Sequence, residues 1–296
     1  MPLDPDLQEQ LRRVLGSLEL LLPRNLAPID WRETHAANWR RHLLAGYLEP
    51  LPEGVTLRLP DLLGIDEQKR VVEENTRQFL AGLPANNVLL WGTRGTGKSS
   101  LVRALLGSYG PRGLRVIQVD KDDLVQLPAI VDAVRGQPFR FLVFSDDVSF
   151  EVGESSYKTL KSALDGSVFA APDNVLIYVT SNRRHMLPEF ETDNLGALLH
   201  NNEIHHGEAV EEKISLSGRF GLWVGFHSFT RPQFLAVARQ WVDRLARRSG
   251  AELPWTPAAE SAALEWALKK GDQSGRIAYQ FANHWVGSRL LAGRDP

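Results

Sequence analysis

The strongest chemical signal in the chain is Gly92-Thr93-Arg94-Gly95-Thr96-Gly97-Lys98-Ser99. Its spacing is GxxxxGK followed by Ser or Thr, a turn that holds phosphate. Glycines at 92, 95 and 97 permit backbone angles and close approaches that a Cβ forbids. The loop amides, with Ser100 in the helical turn behind them, then point at phosphate oxygens. Lys98 reaches the β- and γ-phosphates, and the Ser99 hydroxyl is placed to ligate magnesium.

Two further stretches end apolar runs in polar side chains. Phe139–Phe144 leads into Ser145-Asp146-Asp147, two carboxylates at the carboxyl end of a buried strand, where ligands of open α/β sheets bind. We assign Asp146 to the metal and Asp147 to the water that attacks the γ-phosphate. Val175–Val179 runs into Thr180-Ser181-Asn182, whose carboxamide is suited to hydrogen-bond that water or the γ-phosphate. Taken alone, Asn182 reads equally as a turn residue. Arg219 precedes the last strand candidate and Arg276 opens a late helix. A guanidinium stabilises charge on a transferring phosphoryl group, although either arginine alone also fits a helix cap.

These residues need elements to hold them. Val88–Trp91 is a strand candidate before the glycine turn, and Ser100–Leu106 a helix after it, with Gly107 as the expected stop. Further strands are expected at Leu114–Val119, Phe139–Phe144, Val175–Val179 and Leu222–Phe226, each a short apolar run of the kind that helices cover on both faces. Helices are expected around 122–135 and 154–165, and before the glycine turn from Asp66, as N-cap, to Gly82. The alternation predicts an α/β sheet domain over 60–229. Beyond it, Thr230 with Gln233, Thr256-Pro257 and Ser274 open three helices of a small domain over 230–296. Upstream, 1–59 reads as a helical segment and linker. One helix is expected over 5–22 and a second over 30–47, with Trp31, His35, Trp39 and Leu43 spaced by four. That stripe, flanked by Arg32, Arg40 and Arg41, reads as packed tryptophans with solvated arginines; a docking face for a partner is the other reading.

Composition excludes several classes. With no cysteine in 296 residues, disulfides, thiolate metal sites and cysteine nucleophiles are ruled out. A formal net charge of −2 gives no global pull toward nucleic acid or anionic lipid. The acidic start lacks a signal peptide's basic residues, and no apolar run nears the about 20 residues that span a bilayer. A cytoplasmic protein with no membrane contact is expected.

Together the motifs resemble the AAA+ ATPases. By that resemblance Gly92–Ser99 is Walker A, Phe141–Asp147 is Walker B, Asn182 is sensor 1, Arg219 is the arginine finger and Arg276 is sensor 2 in a helical lid. Leu63-Gly64-Ile65 resembles the segment lining the adenine pocket. More narrowly, the wording is similar to a bacterial AAA+ group, the domain-of-unknown-function 815 family, over roughly 60–290. The stretches that carry this are Gly64-Ile65-Asp66, Leu83–Gly92, Val119–Leu124, Thr180–His185, Glu208–Lys213 and Arg219–Trp223. The resemblance implies a five-stranded parallel sheet in the order 5-1-4-3-2 and ATP with magnesium as ligands. It also implies a homo-oligomer whose finger acts in trans, ATP hydrolysis, and a protein or nucleic-acid partner that it does not identify.

Departures from the AAA+ pattern shape the expectation. Walker B ends Asp146-Asp147 where most members have Asp-Glu, which points to slower turnover or to Glu151 as substitute base. Lys121–Val134 shows no aromatic-apolar-Gly loop of the kind that grips polypeptide. His200, Glu203, His205 and His206 miss the spacing of the zinc motifs and read as a mobile polar loop. Arg239, Arg244, Arg247 and Arg248 form a basic stripe that suits a helix C-terminus, with phosphate contact as a lesser reading.

Overall fold

The computed structural model describes residues 4, 8–10, 12, 13, 15, 28–41, 46–52, 57–149, 155–164, 172–183, 198–200, 203–205 and 218–292. Glu151, His206 and the stretch 208–213 lie outside them. Residues 8–10, 12, 13 and 15 are helical, in keeping with the first amino-terminal helix.

Among the described residues, seven strands form one sheet: β1 (Ala36–Arg41), β2 (Gly46–Pro50), β3 (Val88–Gly92), β4 (Leu114–Gln118), β5 (Arg140–Ser145), β6 (Val175–Ser181) and β9 (Leu222–Phe226), in the order β2-β1-β4-β5-β6-β3-β9. A two-stranded antiparallel ribbon, β7 (Leu198–His200) and β8 (Glu203–His205), stands apart from it. Of the expected polar loop, His200, Glu203 and His205 thus lie on a strand pair; among the described residues no group of His, Asp or Glu could hold a metal ion. Counting from the phosphate strand β3, the five strands β9-β3-β6-β5-β4 follow the order 5-1-4-3-2, and all neighbours are parallel.

The sheet is larger than expected because the helix predicted over 30–47 does not form. Its described residues from Ala36 onward belong instead to β1 and β2, an antiparallel pair that extends the sheet beyond β4. Trp31 and Trp39 are buried under this edge, and the Trp39 indole donates to Gln126 Oε1 at 2.7 Å.

Strict alternation along the strands builds two cores. Val88, Leu90, Leu114, Val116, Leu142, Phe144 and Tyr178 face one side, Leu89, Ile117, Phe141, Val143, Ile177 and Val179 the other. The first side carries α1 (Asp66–Leu80) and α2 (Lys98–Tyr109); the second carries α3 (Leu127–Val134), reached through a 3₁₀ turn at Lys121–Gln126, and α4 (Ser155–Leu164). Asp66 is the first residue of α1, and Ile65 stands at the cap instead. Gly107 does not stop α2, because it is not left-handed; the helix runs to Tyr109 and passes through a 3₁₀ turn at Gly110–Arg112 to the left-handed Gly113.

The first core continues into three packed helices, α5 (Arg231–Arg248), α6 (Pro257–Lys270) and α7 (Gly275–Ala292), through Phe234, Val242 and Phe281. Thr230 and Gln233 form the capping box of α5 with Pro232 in its first turn, and the Thr256 hydroxyl accepts from the Ala259 amide to cap α6. Among the described residues no helix is long and apolar enough to cross a membrane.

Candidate functional site

The carboxyl ends of β3, β5 and β6, the start of α2 and the faces of α5 and α7 enclose a cleft of about 930 Å³. The loop between β3 and α2 sits at its base. Gly92, Gly95 and Gly97 take φ of 123°, 76° and 105°, angles that L side chains rarely adopt. At Gly92 the reason is also steric, since a Cβ would lie 2.0 Å from the Phe226 carbonyl oxygen of β9. At Gly95 it would lie 2.9 Å from both Ser274 Oγ and Arg276 Cβ, so glycine lets the start of α7 rest on the loop. The Arg276 amide donates to Gly95 O at 3.3 Å.

Lys98 points into this loop and is 7% exposed. Its ammonium donates to Gly92 O (2.7 Å), Thr93 O (2.8 Å) and Asn182 Oδ1 (3.1 Å), which uses all three of its protons. Burial pushes its pKa down to about 8, against the opposing pull of Asp147 and Asp146. Ser99 Oγ donates to Asp146 Oδ1 at 2.5 Å, and the same oxygen accepts from Thr180 Oγ1 at 2.5 Å. Asp147 lies beyond the end of β5 with φ 54°, the one positive value outside glycine among the described residues. Its amide donates to Thr180 Oγ1 at 2.8 Å. Its carboxylate accepts from Asn182 Nδ2 through Oδ1, and Oδ2 lies 3.5 Å from the Arg94 guanidinium.

The structure therefore brings Arg94, Gly95, Thr96, Gly97, Lys98, Ser99, Ser100, Asp146, Asp147, Asn182 and Arg276 to the cleft, with Ile65 at its side. Gly92 and Thr93 stand behind the wall, presenting their carbonyls to Lys98. Gly64 also lies behind it, in a left-handed turn, and its carbonyl accepts from Gln233 Nε2 of α5 at 3.2 Å. Arg219 is not brought to the cleft. It precedes β9, whose first residue pairs with Val88 at the start of β3, so it sits at the other end of the sheet from the loop.

Several cleft residues escaped the sequence reading. Thr180 had a visible signal, a hydroxyl at the polar carboxyl end of a mostly apolar strand. Asp61, Arg103, Trp241 and Tyr279 had none beyond residue type. Arg244 and Arg248, read from the sequence as half of a basic stripe suited to a helix C-terminus, line the cleft. Arg244 lies 3.8 Å from Asp61 Oδ1 and over the Trp241 ring, because positions 241, 244 and 248 share one face of α5.

A phosphate loop after β3, acids at the end of β5 with β6 between the two strands, and a helical cap over the cleft define an AAA+ ATPase fold. Within that class the chain belongs to the family described as "Protein of unknown function (DUF815)", whose profile matches residues 32–289. The fold is similar to a RuvB variant from Thermotoga maritima, with a TM-score of 0.54 and 16% identity over 80% of this chain and 67% of that one. It is also similar to Orc1 from Aeropyrum pernix, solved in complex with DNA, with a TM-score of 0.53 and 16% identity over 81% of this chain and 63% of that one. Comparison with curated proteins finds no sequence match.

Proposed function

We propose that the chain binds ATP in this cleft and hydrolyses it, coupling turnover to movement of the helical cap over 230–296 against the sheet domain over 60–229. The observation that carries this reading is the meeting of Lys98, Ser99, Asp146, Asp147, Asn182 and Arg276 around one loop, from four separate stretches of chain. The loop amides and Lys98 bind the β- and γ-phosphates, Lys98 trading carbonyl partners for phosphate oxygens. Asp146 and Ser99 supply two touching hard oxygen donors, a set that fits magnesium. When bound, that ion neutralises charge on the phosphates. Asp147 accepts the proton of the attacking water, and Asn182, hydrogen-bonded to it, orients that water. Arg276 reaches the γ-phosphate from α7, and Arg219 serves the site of a neighbouring copy in a homo-oligomer.

One observation favours a second reading, a nucleotide-switched scaffold or loader with slow hydrolysis acting on a protein or nucleic-acid partner. Asn182 and Arg94 engage both oxygens of Asp147, so the base must be freed before it can act. Phosphate release separates the two. Turnover by purified protein that disappears in Lys98→Ala supports the first; tight ATP binding without release supports the second. Arg244 and Arg248 line the cleft, so charge reversal there is expected to disturb nucleotide binding first.

A further inference from the structure

A strand that continued straight through Asp146 and Asp147 would point their side chains to opposite faces. Along β5, Leu142 and Phe144 face the side that carries α2, while Phe141 and Val143 face the side of α3 and α4. Strict alternation thus puts Asp146 on the side of α2 and sends Asp147 away from it. Instead both line the cleft, and Asp147 meets Asn182 and Arg94. The backbone turn at φ 54° makes the difference.

A single residue of β6 holds that turn. The Thr180 hydroxyl accepts from the Asp147 amide at 2.8 Å and donates to Asp146 Oδ1 at 2.5 Å, and the Thr180 carbonyl accepts from the Val148 amide at 2.8 Å. Thr180 itself is 1% exposed, which leaves its hydroxyl little access to solvent. Left-handed backbone is tolerated by Asp better than by longer side chains, because its short polar group bonds locally.

We infer that Thr180 is a positioning residue that fixes residue 147 in the left-handed turn, and that this turn is what fits an aspartate, rather than a glutamate, to the base position. The inference rests on the proposed ATP hydrolysis at this site. The turn swings the Cα–Cβ bond of residue 147 toward the loop and supplies the reach that the shorter side chain lacks. A glutamate on the same backbone carries its carboxylate about 1.5 Å too far, one carbon–carbon bond, and fits the turn less well.

Steady-state kinetics of Asp147→Glu, Thr180→Val and Thr180→Ser test this, with circular dichroism to check folding. Asp147→Glu, on an exposed side chain, is expected to lower kcat at least about tenfold, since a displacement near 1 Å costs up to about 100-fold. Thr180→Val keeps the shape of the side chain but neither hydroxyl bond. Its kcat is expected to fall about 100-fold with KM for magnesium-ATP within about threefold. Thr180→Ser, which keeps the hydroxyl, is expected to recover most of the rate. A faster Asp147→Glu enzyme overturns the inference. So does a folded Thr180→Val enzyme with wild-type kcat, or one whose rate returns at saturating magnesium, which would place the defect at Asp146 alone. Wild-type protein that binds ATP without turnover overturns the hydrolytic reading itself, whatever the variants do.

Discussion

Replacing Gly92 with alanine tests how tightly the phosphate loop is wedged against the neighbouring strand. The new Cβ would lie 2.0 Å from Phe226 O, where ordinary contact begins at 3.4 Å, so β9 must retreat by the difference of 1.4 Å. That movement breaks the bond from the Thr93 amide to Phe226 O, now 3.0 Å. It also shifts the Gly92 and Thr93 carbonyls that accept from Lys98. Gly113 is the control, because its φ of 100° is also positive but a Cβ there meets nothing within 4 Å. Gly113→Ala carries only backbone strain, about 1–2 kcal/mol. Gly92→Ala adds about 1 kcal/mol for the lost bond and about 1–3 kcal/mol for overpacking. The variants should therefore differ by about 2–4 kcal/mol in urea denaturation at equal slope, and only Gly92→Ala should weaken ATP binding. If both unfold at the same urea concentration, β9 gives way freely and the reasoning about the loop fails.

Tyr178 is fully buried, its hydroxyl bonded to Asn75 Nδ2 at 3.0 Å and Thr76 Oγ1 at 2.9 Å, and burial pushes its pKa up to about 12. The phenol is neutral in both states below about pH 10; above it the unfolded chain ionises first, so stability falls by up to about 2.7 kcal/mol toward pH 12. Tyr178→Phe should cost about 1 kcal/mol at neutral pH and lose less from pH 10 to pH 12; parallel profiles in urea titrations would contradict this. Arg276 makes no ion pair among the described residues. Arg276→Ala should thus leave thermal stability within about 0.5 kcal/mol but weaken ATP binding about tenfold; unchanged affinity would remove it from the site. Arg219→Ala should keep ATP binding and lose turnover by about 10³-fold. Mixing it with Asp147→Asn should restore part of the rate, and no restoration at any ratio counts against a finger acting in trans.

Where a local pattern decided the outcome, the sequence was informative. The phosphate loop, the five core strands and the caps at Thr230 and Thr256 each follow from a few adjacent residues. The resemblance supplied the strand order. The error at 30–47 has a clear physical source: a spacing of four suits a helix of 3.6 residues per turn and is also an even number, so it suits a strand. What settles the matter is pairing of β1 with β4, about 80 positions away, which no local pattern records. The cleft was legible where side chains make phosphate chemistry and illegible where the fold supplies the direction. Arg244 and Arg248 look like solvated cations until α5 is packed over the loop. Thr180 shows its hydroxyl in the sequence, but its partners are set only by the turn at Asp147.

Calorimetric titration of magnesium-ATP into the purified protein tests the central claim most directly. The account predicts saturable heat at one ATP per chain, absent in Lys98→Ala although that variant stays folded. No heat from the wild-type protein, or equal heat from both proteins, would contradict it.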